Sequence, residues 1–444
     1  MRNRMSRMRK LVVVDITPLR QSRDFRYLYL GQMASFVARE LTVVAVPYQA
    51  FVLTGSSLVV GSLGLAQLIP GLAVALLGGA FFDAFDRKKL MWISQVLQAV
   101  VAAGLMVNAA TPSPALWPLF VLSGLNAGLS SIDNSTRIAV TPSLVTRDLL
   151  PAALALNQTM ATLGGAAGPA IAGVLIATFG ISFSFGLEAF IFLLAALSVF
   201  GIRSLPKVDQ NAVLGFRSVA EGFRYIKAQR RITSTFVIDL NAMVFAMPRA
   251  LFPALGIGLF GGDASTVGLL YAAPGMGALV AASTAGWVGG VKRQGLMIVS
   301  SVLVWGVTMT LFGLVGSLPI ALALLAVAGS ADVVSAVFRG TIVQLTVPDQ
   351  LRGRISGVHV AVVRSGPRLG DLRAGAVASV TSEQFSVVSG GILAILGTLL
   401  IAKLYPELIG DDSLAPSGSN EMAGSKNWRE PSAPELTPDS VEEP

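Results

Sequence analysis

Apolar residues along the chain gather into twelve runs separated by short polar connections. The runs cover 27–53, 58–82, 90–108, 116–136, 152–178, 183–202, 232–259, 267–289, 296–314, 320–338, 355–379 and 385–404. A helix needs about 20 mostly apolar residues to cross a bilayer. The pattern therefore predicts an all-α membrane protein with twelve transmembrane helices. The least apolar runs are 27–53 and 355–379; the second contains Arg364, Arg368, Asp371 and Arg373. The longest connection on one side, 203–231, follows the sixth run and divides the chain into two six-helix bundles, 27–202 and 232–404. Within it, Val213, Phe216, Val219, Ala220 and Phe223 recur at helical spacing among charges, which predicts an interfacial helix. A cytoplasmic segment 1–26 precedes the bundles, and an acidic tail, 405–444, follows them. From 410 on the tail is rich in Pro, Ser and Glu, which predicts disorder.

The basic residues orient this arrangement. Of 33 lysines and arginines, 28 lie in 1–26, 83–89, 137–151, 203–231, 290–295, 339–354 and the tail from Lys403 on. The connections on the other side carry none. Cytoplasmic loops collect Lys and Arg, so both termini are expected in the cytoplasm. The remaining five are Arg39, Arg249, Arg364, Arg368 and Arg373, all inside expected helices.

Composition removes the competing classes. The chain is 53% hydrophobic and 13% charged, too few charges to wet a soluble protein of 444 residues. Its net charge of +8 is explained by topology, and no nucleic acid is expected as partner. There is no cysteine, and His359 is the single histidine. Thiolate and His-cluster metal sites are thereby excluded, and no metal, cofactor or enzyme activity is expected. No Gly-x4-Gly-Lys-Ser/Thr loop exists for nucleotide. The apolar run near the N-terminus is too short for a signal peptide.

The halves echo one another. Val60-Gly61 opens the second run and Val267-Gly268 the eighth; Gly79 corresponds to Gly286 at the same offset. Parallel repeats around a central site fit this. After the second run, Gly79-x3-Asp83 is followed by Asp86-Arg87-Lys88-Lys89. Gly79 permits close helix approach, and Asp83 at a helix end is placed to pair with a basic residue or a helix terminus. The alternative is an ordinary basic loop. The fifth run contains Gly164, Gly168, Pro169 and Gly173, in which small residues allow tight packing and proline bends the helix.

The 79–89 loop resembles the signature loop of the major facilitator superfamily, which would make it a conformational switch. The fifth-run motif resembles that superfamily's antiporter motif, although generic helix packing also uses it. Val46-Pro47-Tyr48-Gln49, Ala220-Glu221-Gly222-Phe223-Arg224-Tyr225, Leu351-Arg352-Gly353-Arg354-Ile355-Ser356 and Lys403-Leu404-Tyr405-Pro406-Glu407-Leu408 are similar to the enterobactin-exporter-like group, also called transmembrane secretion effectors. That resemblance implies proton-driven efflux of siderophores or drug-like compounds from the bacterial cytoplasmic membrane.

Charges inside expected spans are costly and mark function. Glu40 is the first candidate proton carrier, followed by Asp239 and Asp332; structural pairing is the alternative for each. Arg364, Arg368 and Asp371 share one helix face. With Arg39, Arg249 and Asn241 they are expected to line a cavity, which suits an anionic or catecholate substrate or is equally well neutralised by Asp371 and Glu40. Glu188 is a further intramembrane acid. Asp133 and Arg137, and Asp332 and Arg339, are spaced for local ion pairs. His359 is a helix-end polar residue or a proton shuttle. The expected protein is a monomeric secondary transporter whose partners are a small molecule, protons and the bilayer. Two alternatives stay open: a proton symporter for uptake, and a non-transporting scaffold or sensor.

Overall fold

Local chemistry sets the ends of the helices. In a computed structural model, which describes residues 15–82, 85–203, 223–348 and 351–410, a single turn at Thr17–Gln21 leads to Ser22. The Ser22 hydroxyl accepts from Phe25 N–H at 3.1 Å and donates to the Leu144 carbonyl at 2.7 Å, capping α1 (Arg23–Thr54). Gly55, at φ 62°, ends it in the left-handed conformation that suits glycine. There follow α2 (Ser57–Phe82), α3 (Arg87–Ala110), α4 (Trp117–Leu144), α5 (Leu150–Phe179) and α6 (Ile181–Phe200). The second half begins with α7 (Arg230–Phe245), which breaks and continues irregularly to Leu259. Then come α8 (Ala264–Ser283), α9 (Gln294–Leu314), α10 (Leu318–Thr346), α11 (Arg352–Val380) and α12 (Glu383–Leu404).

Ten of these helices are long and apolar enough to cross a membrane; α4 and α11 are not. Those two carry the Asp133–Arg137 pair and the Arg364–Arg373 cluster. Their polar residues face protein or cavity, which spares them from lipid.

In the first half α6 packs on α1 and α3, α4 on α2 and α3, and α5 on α1. In the second, α10 packs on α8 and α9, α12 on α9, and α7 on α11 and α12. Two pairs join the halves: α5 with α8, and α2 with α11. Two glycines of the sequence echo, Gly61 and Gly268, sit in these joins. A Cβ on Gly61 would strike the Asp371 carbonyl, and one on Gly268 would lie 2.7 Å from Gly173 Cα. Both joins lie toward the end of the bundle remote from Arg87 and Arg203, where Ser57 Oγ also donates to Glu383 at 3.0 Å.

Three features depart from expectation. Helices α4 and α10 run past 136 and 338 to Leu144 and Thr346. Arg137 and Arg339, counted above with the loop cations, are therefore helical and buried, because each meets a carboxylate. The tail begins as structure: Pro406–Leu408 forms a turn, Leu408 is fully buried against Gly295, and Glu407 meets Arg230 at 3.2 Å. The interfacial helix expected from 213 lies outside the described residues as far as 222, as do Asp83 and the tail from 411.

Candidate functional site

A cavity of about 510 Å³ lies between the halves, lined by α1, α2 and α4 on one side and α7, α8 and α11 on the other. Arg39, Arg249, Arg364 and Arg368 all reach it, and Asp371 is the single acid in its wall. Among the described residues none of the four arginines makes an ion pair with a carboxylate. Arg39 instead lies 5.5 Å from the Phe36 ring and Arg249 5.7 Å from the Tyr271 ring. Arg364 crosses between the halves, donating to Ser131 Oγ and, at 3.4 Å, to the Gly71 carbonyl.

The break in α7 builds one wall. Pro248 supplies no backbone N–H, and the chain is irregular from Ala246 to Pro248. Side chains from three other helices satisfy the freed groups. Trp305 Nε1 donates to the Ala246 carbonyl at 2.7 Å, and Tyr271 Oη to the Arg249 carbonyl at 2.9 Å. Asp371 Oδ1 accepts from Ala250 N–H at 3.0 Å. Arg373 points away from the cavity, donating to the carbonyls of Phe245 at 3.3 Å and Ser386 at 3.1 Å. Irregular backbone at membrane depth is tolerated where it lines a cavity in this way. The aromatic clamps Tyr271 and Trp305 carry no pattern that distinguishes them in sequence from ordinary apolar filling.

Glu40 lies just behind the cavity wall. It packs into the notch of Gly168, where a Cβ would come within 2.6 Å of Glu40 Cγ. Phe36 fills the notch of Gly164 one turn earlier. The cations acting on Glu40 are Arg249, from the other half, and Arg39. Gly173 serves the α5–α8 join, and the Pro169 carbonyl lies in the same join, against Gly268. Asn241 is not in the cavity: its amide donates to the Ala394 carbonyl at 2.9 Å and to Thr398 at 3.2 Å, tying α7 to α12.

The remaining acids form two related clusters. Arg137 and Arg339 each stand seven residues before the end of their helix. Arg137 binds Asp133 on its own helix at 2.9 Å and donates to the Leu28 carbonyl at 3.1 Å. Arg339 binds Asp239 of α7, with Asp332 farther away at 3.9 Å. The place of Asp239 in α7 is taken in α1 by Gln32, and the place of Asp133 in α4 is taken in α10 by Ser335. The carboxylate has thus changed helix between the halves. Asp239, Arg339 and His359 line a separate cavity of about 260 Å³ within the second half. There His359 stands edge-on to Phe236 at 5.8 Å. Asp332 borders a third cavity, of about 230 Å³, which it shares with Arg249.

Gly79 lies in the last turn of α2. Asp86 caps α3, accepting from the backbone N–H of Lys88 at 2.8 Å and of Lys89 at 3.2 Å. Arg87 donates to the Ala139 carbonyl at 3.1 Å, and Lys88 to the carbonyls of Phe200 and Ile202 at the end of α6. Lys88 therefore meets a helix carboxyl end, the favourable polarity of the dipole.

The chain matches the family described as transmembrane secretion effector over residues 14–440. It is 28% identical over 396 residues to the enterobactin exporter EntS of Escherichia coli O1:K1, covering 88% of this chain and 94% of that protein. The EntS of Citrobacter koseri is 29% identical over the same coverage. Among solved structures, the nucleoside transporter NupG superposes with a TM-score of 0.68 at 13% identity, covering 86% of this chain and 98% of that one. The human organic anion transporter MFSD10 gives 0.59 at 16% identity, over 85% and 99%.

Proposed function

The chain belongs to the transmembrane secretion effectors of the major facilitator superfamily, multi-pass membrane transporters rather than enzymes, and from that premise we propose that it exports an anionic small molecule of the siderophore class by proton-coupled alternating access. The observation that carries the reading is the set of four arginines lining one cavity that holds one acid, Asp371, with none of the four within ion-pair distance of a carboxylate among the described residues. Four guanidinium groups against one carboxylate in a low-dielectric wall favour a ligand that brings its own negative oxygens. Enterobactin, the compound named in the relatives, is the first cargo to test.

In this reading all twelve long helices span the cytoplasmic membrane of a bacterium as two six-helix bundles. Both termini lie in the cytoplasm, and the protein works as a monomer. The basic end of the bundle is then cytoplasmic, and the joins at Gly61 and Gly268 close the outer end, so the conformation is inward-facing. Glu40 is the first candidate for coupling, because Arg249 stands opposite it across the halves. Asp239 and Asp332 are the next, although Arg339 already engages both.

The test is transport by purified protein in proteoliposomes loaded with enterobactin. Flux that accelerates under an imposed pH gradient and depends on the arginines supports the proposal. Accumulation in the direction of the proton gradient would make the protein a symporter. Absence of flux, together with loss of a cellular phenotype on removing 411–444, would favour the scaffold reading.

A further inference from the structure

One buried carboxyl stands apart from the charges around the cavity. Glu188, in α6, is 0% exposed. Thr42 Oγ1 of α1 donates to its Oε1, and Asn126 of α4 is the other side chain acting on the carboxyl. Its Oε2 has no hydrogen-bond partner. Asp133 pairs with Arg137, and Asp239 and Asp332 with Arg339; beyond ion-pair distance, Asp371 still feels Arg368 and Arg249, and Glu40 feels Arg249 and Arg39. Among the described residues Glu188 has no cation.

The surrounding helices offer none. Beyond Lys89, α3 has no charged residue, and its buried polar groups there are Ser94, Gln95 and Gln98. Helix α5 has no charge from Leu150 to Phe179. After Arg26, α1 brings only Arg39 and Glu40, which face the cavity and Gly168. The charges of α4 are Asp133 and Arg137, paired with each other. A carboxylate left without counter-ion in such surroundings is strongly disfavoured. A proton on Oε2 removes both the charge and the orphaned acceptor. Thr42 and Asn126 also line the cavity, so Glu188 lies one side chain behind its wall.

We infer that Glu188 holds a proton in this conformation and exchanges it with the cavity past Thr42 and Asn126, making it a proton-carrying residue of the transport cycle. On release the O–H bond breaks, the proton passes to water in the cavity, and the carboxylate keeps the hydrogen bond from Thr42. The inference rests on the proton-coupled reading above and adds a carrier to it.

The first measurement needs no substrate. Infrared spectra of the purified protein in lipid, taken across pH, are expected to contain a protonated-carboxyl band that is absent in Glu188→Gln and shifted upward in Thr42→Val, which loses the donor to its carbonyl. If Glu188→Gln does not fold, the Thr42→Val shift decides. A full set of bands in Glu188→Gln, or an unmoved spectrum in Thr42→Val, overturns the inference. In proteoliposomes with enterobactin as probe, Glu188→Gln is expected to lose gradient-driven flux, at least tenfold, and to retain exchange of labelled for unlabelled probe. Unchanged gradient-driven flux in that variant also overturns it. Wild-type protein that ignores the gradient would instead defeat the proton-coupled reading and leave the infrared result standing.

Discussion

Gly173 of α5 and Gly268 of α8 meet so closely that a Cβ on either would fall within 2.8 Å of the other's Cα. Side chains are thus excluded at this point of the α5–α8 join, and in the inward-facing reading the outer closure depends on backbone contact here. Replacing Gly268 by leucine forces the two helices apart. The expected result is a cavity reachable from the outer side. The chain contains no cysteine, so a single S123C in the cavity wall gives a labelling site without background. Faster reaction of that thiol with an impermeant reagent outside G268L/S123C cells than outside S123C cells checks the prediction. Equal rates would show that the join is not the seal.

The four arginines differ in what they would lose. Arg364 holds Ser131 and Gly71 of the opposite half as well as facing the cavity, whereas Arg368 has no hydrogen bond there to give up. A hydrogen bond to a charged group contributes about 1.5–3 kcal/mol, so Arg368→Gln should weaken binding of an anionic substrate by roughly tenfold or more. Binding measured by calorimetry at two ionic strengths checks it, with the wild type the more salt-sensitive of the two.

Trp305 supports the α7 break through one bond to the Ala246 carbonyl. Trp305→Phe leaves that carbonyl without a partner at about 1–3 kcal/mol, and a lower unfolding midpoint in detergent is expected. A midpoint equal to wild type would mean that water or a rearranged neighbour satisfies the carbonyl.

The altered placement of the carboxylate between the halves can be reversed. Asp239→Gln leaves Arg339 buried without its nearest acid, a change that costs about 3–5 kcal/mol when a buried pair is broken. Adding Ser335→Asp recreates on α10 the spacing of Asp133 and Arg137 on α4. The double variant should recover most of the thermal stability lost by the single one; no recovery would show that the two clusters are not interchangeable.

Truncation separates the tail into two parts. Ending the chain after Gly410 keeps Leu408 and Glu407 and should leave transport intact. Ending it after Leu404 removes the turn that covers Gly295 and its ion pair with Arg230, and should lower the amount of folded protein recovered from membranes.

Periodic apolar runs made the twelve helices legible, and their bounds fell within a few residues except in α4 and α10, which run on, in α8, which ends at Ser283 and not 289, and in α7, which breaks after Phe245. Helices α4 and α10 run on because Arg137 and Arg339 are stabilised by carboxylates, and a count of basic residues cannot separate a loop arginine from a paired one. Arg364, Arg368 and Asp371 were placed on one face by spacing alone, and that face does meet the cavity. Asn241 was grouped with them because it is polar at membrane depth, yet a helix has several interior directions, and its own points to α12. Glu188 was visible as an acid in an apolar run. That it lacks a cation emerges only when α1, α3 and α4 are brought around it.

An arginine whose acid rides on the same helix is indifferent to how that helix tilts. Arg137 and Asp133 travel together, so a change of angle between α4 and α1 strains only the bond of Arg137 to the Leu28 carbonyl and leaves the ion pair intact. Arg339 and Asp239 belong to different helices, and their separation changes with any change of angle between α10 and α7. The ion pair of the second half thus depends on how its own helices pack, and that of the first half does not.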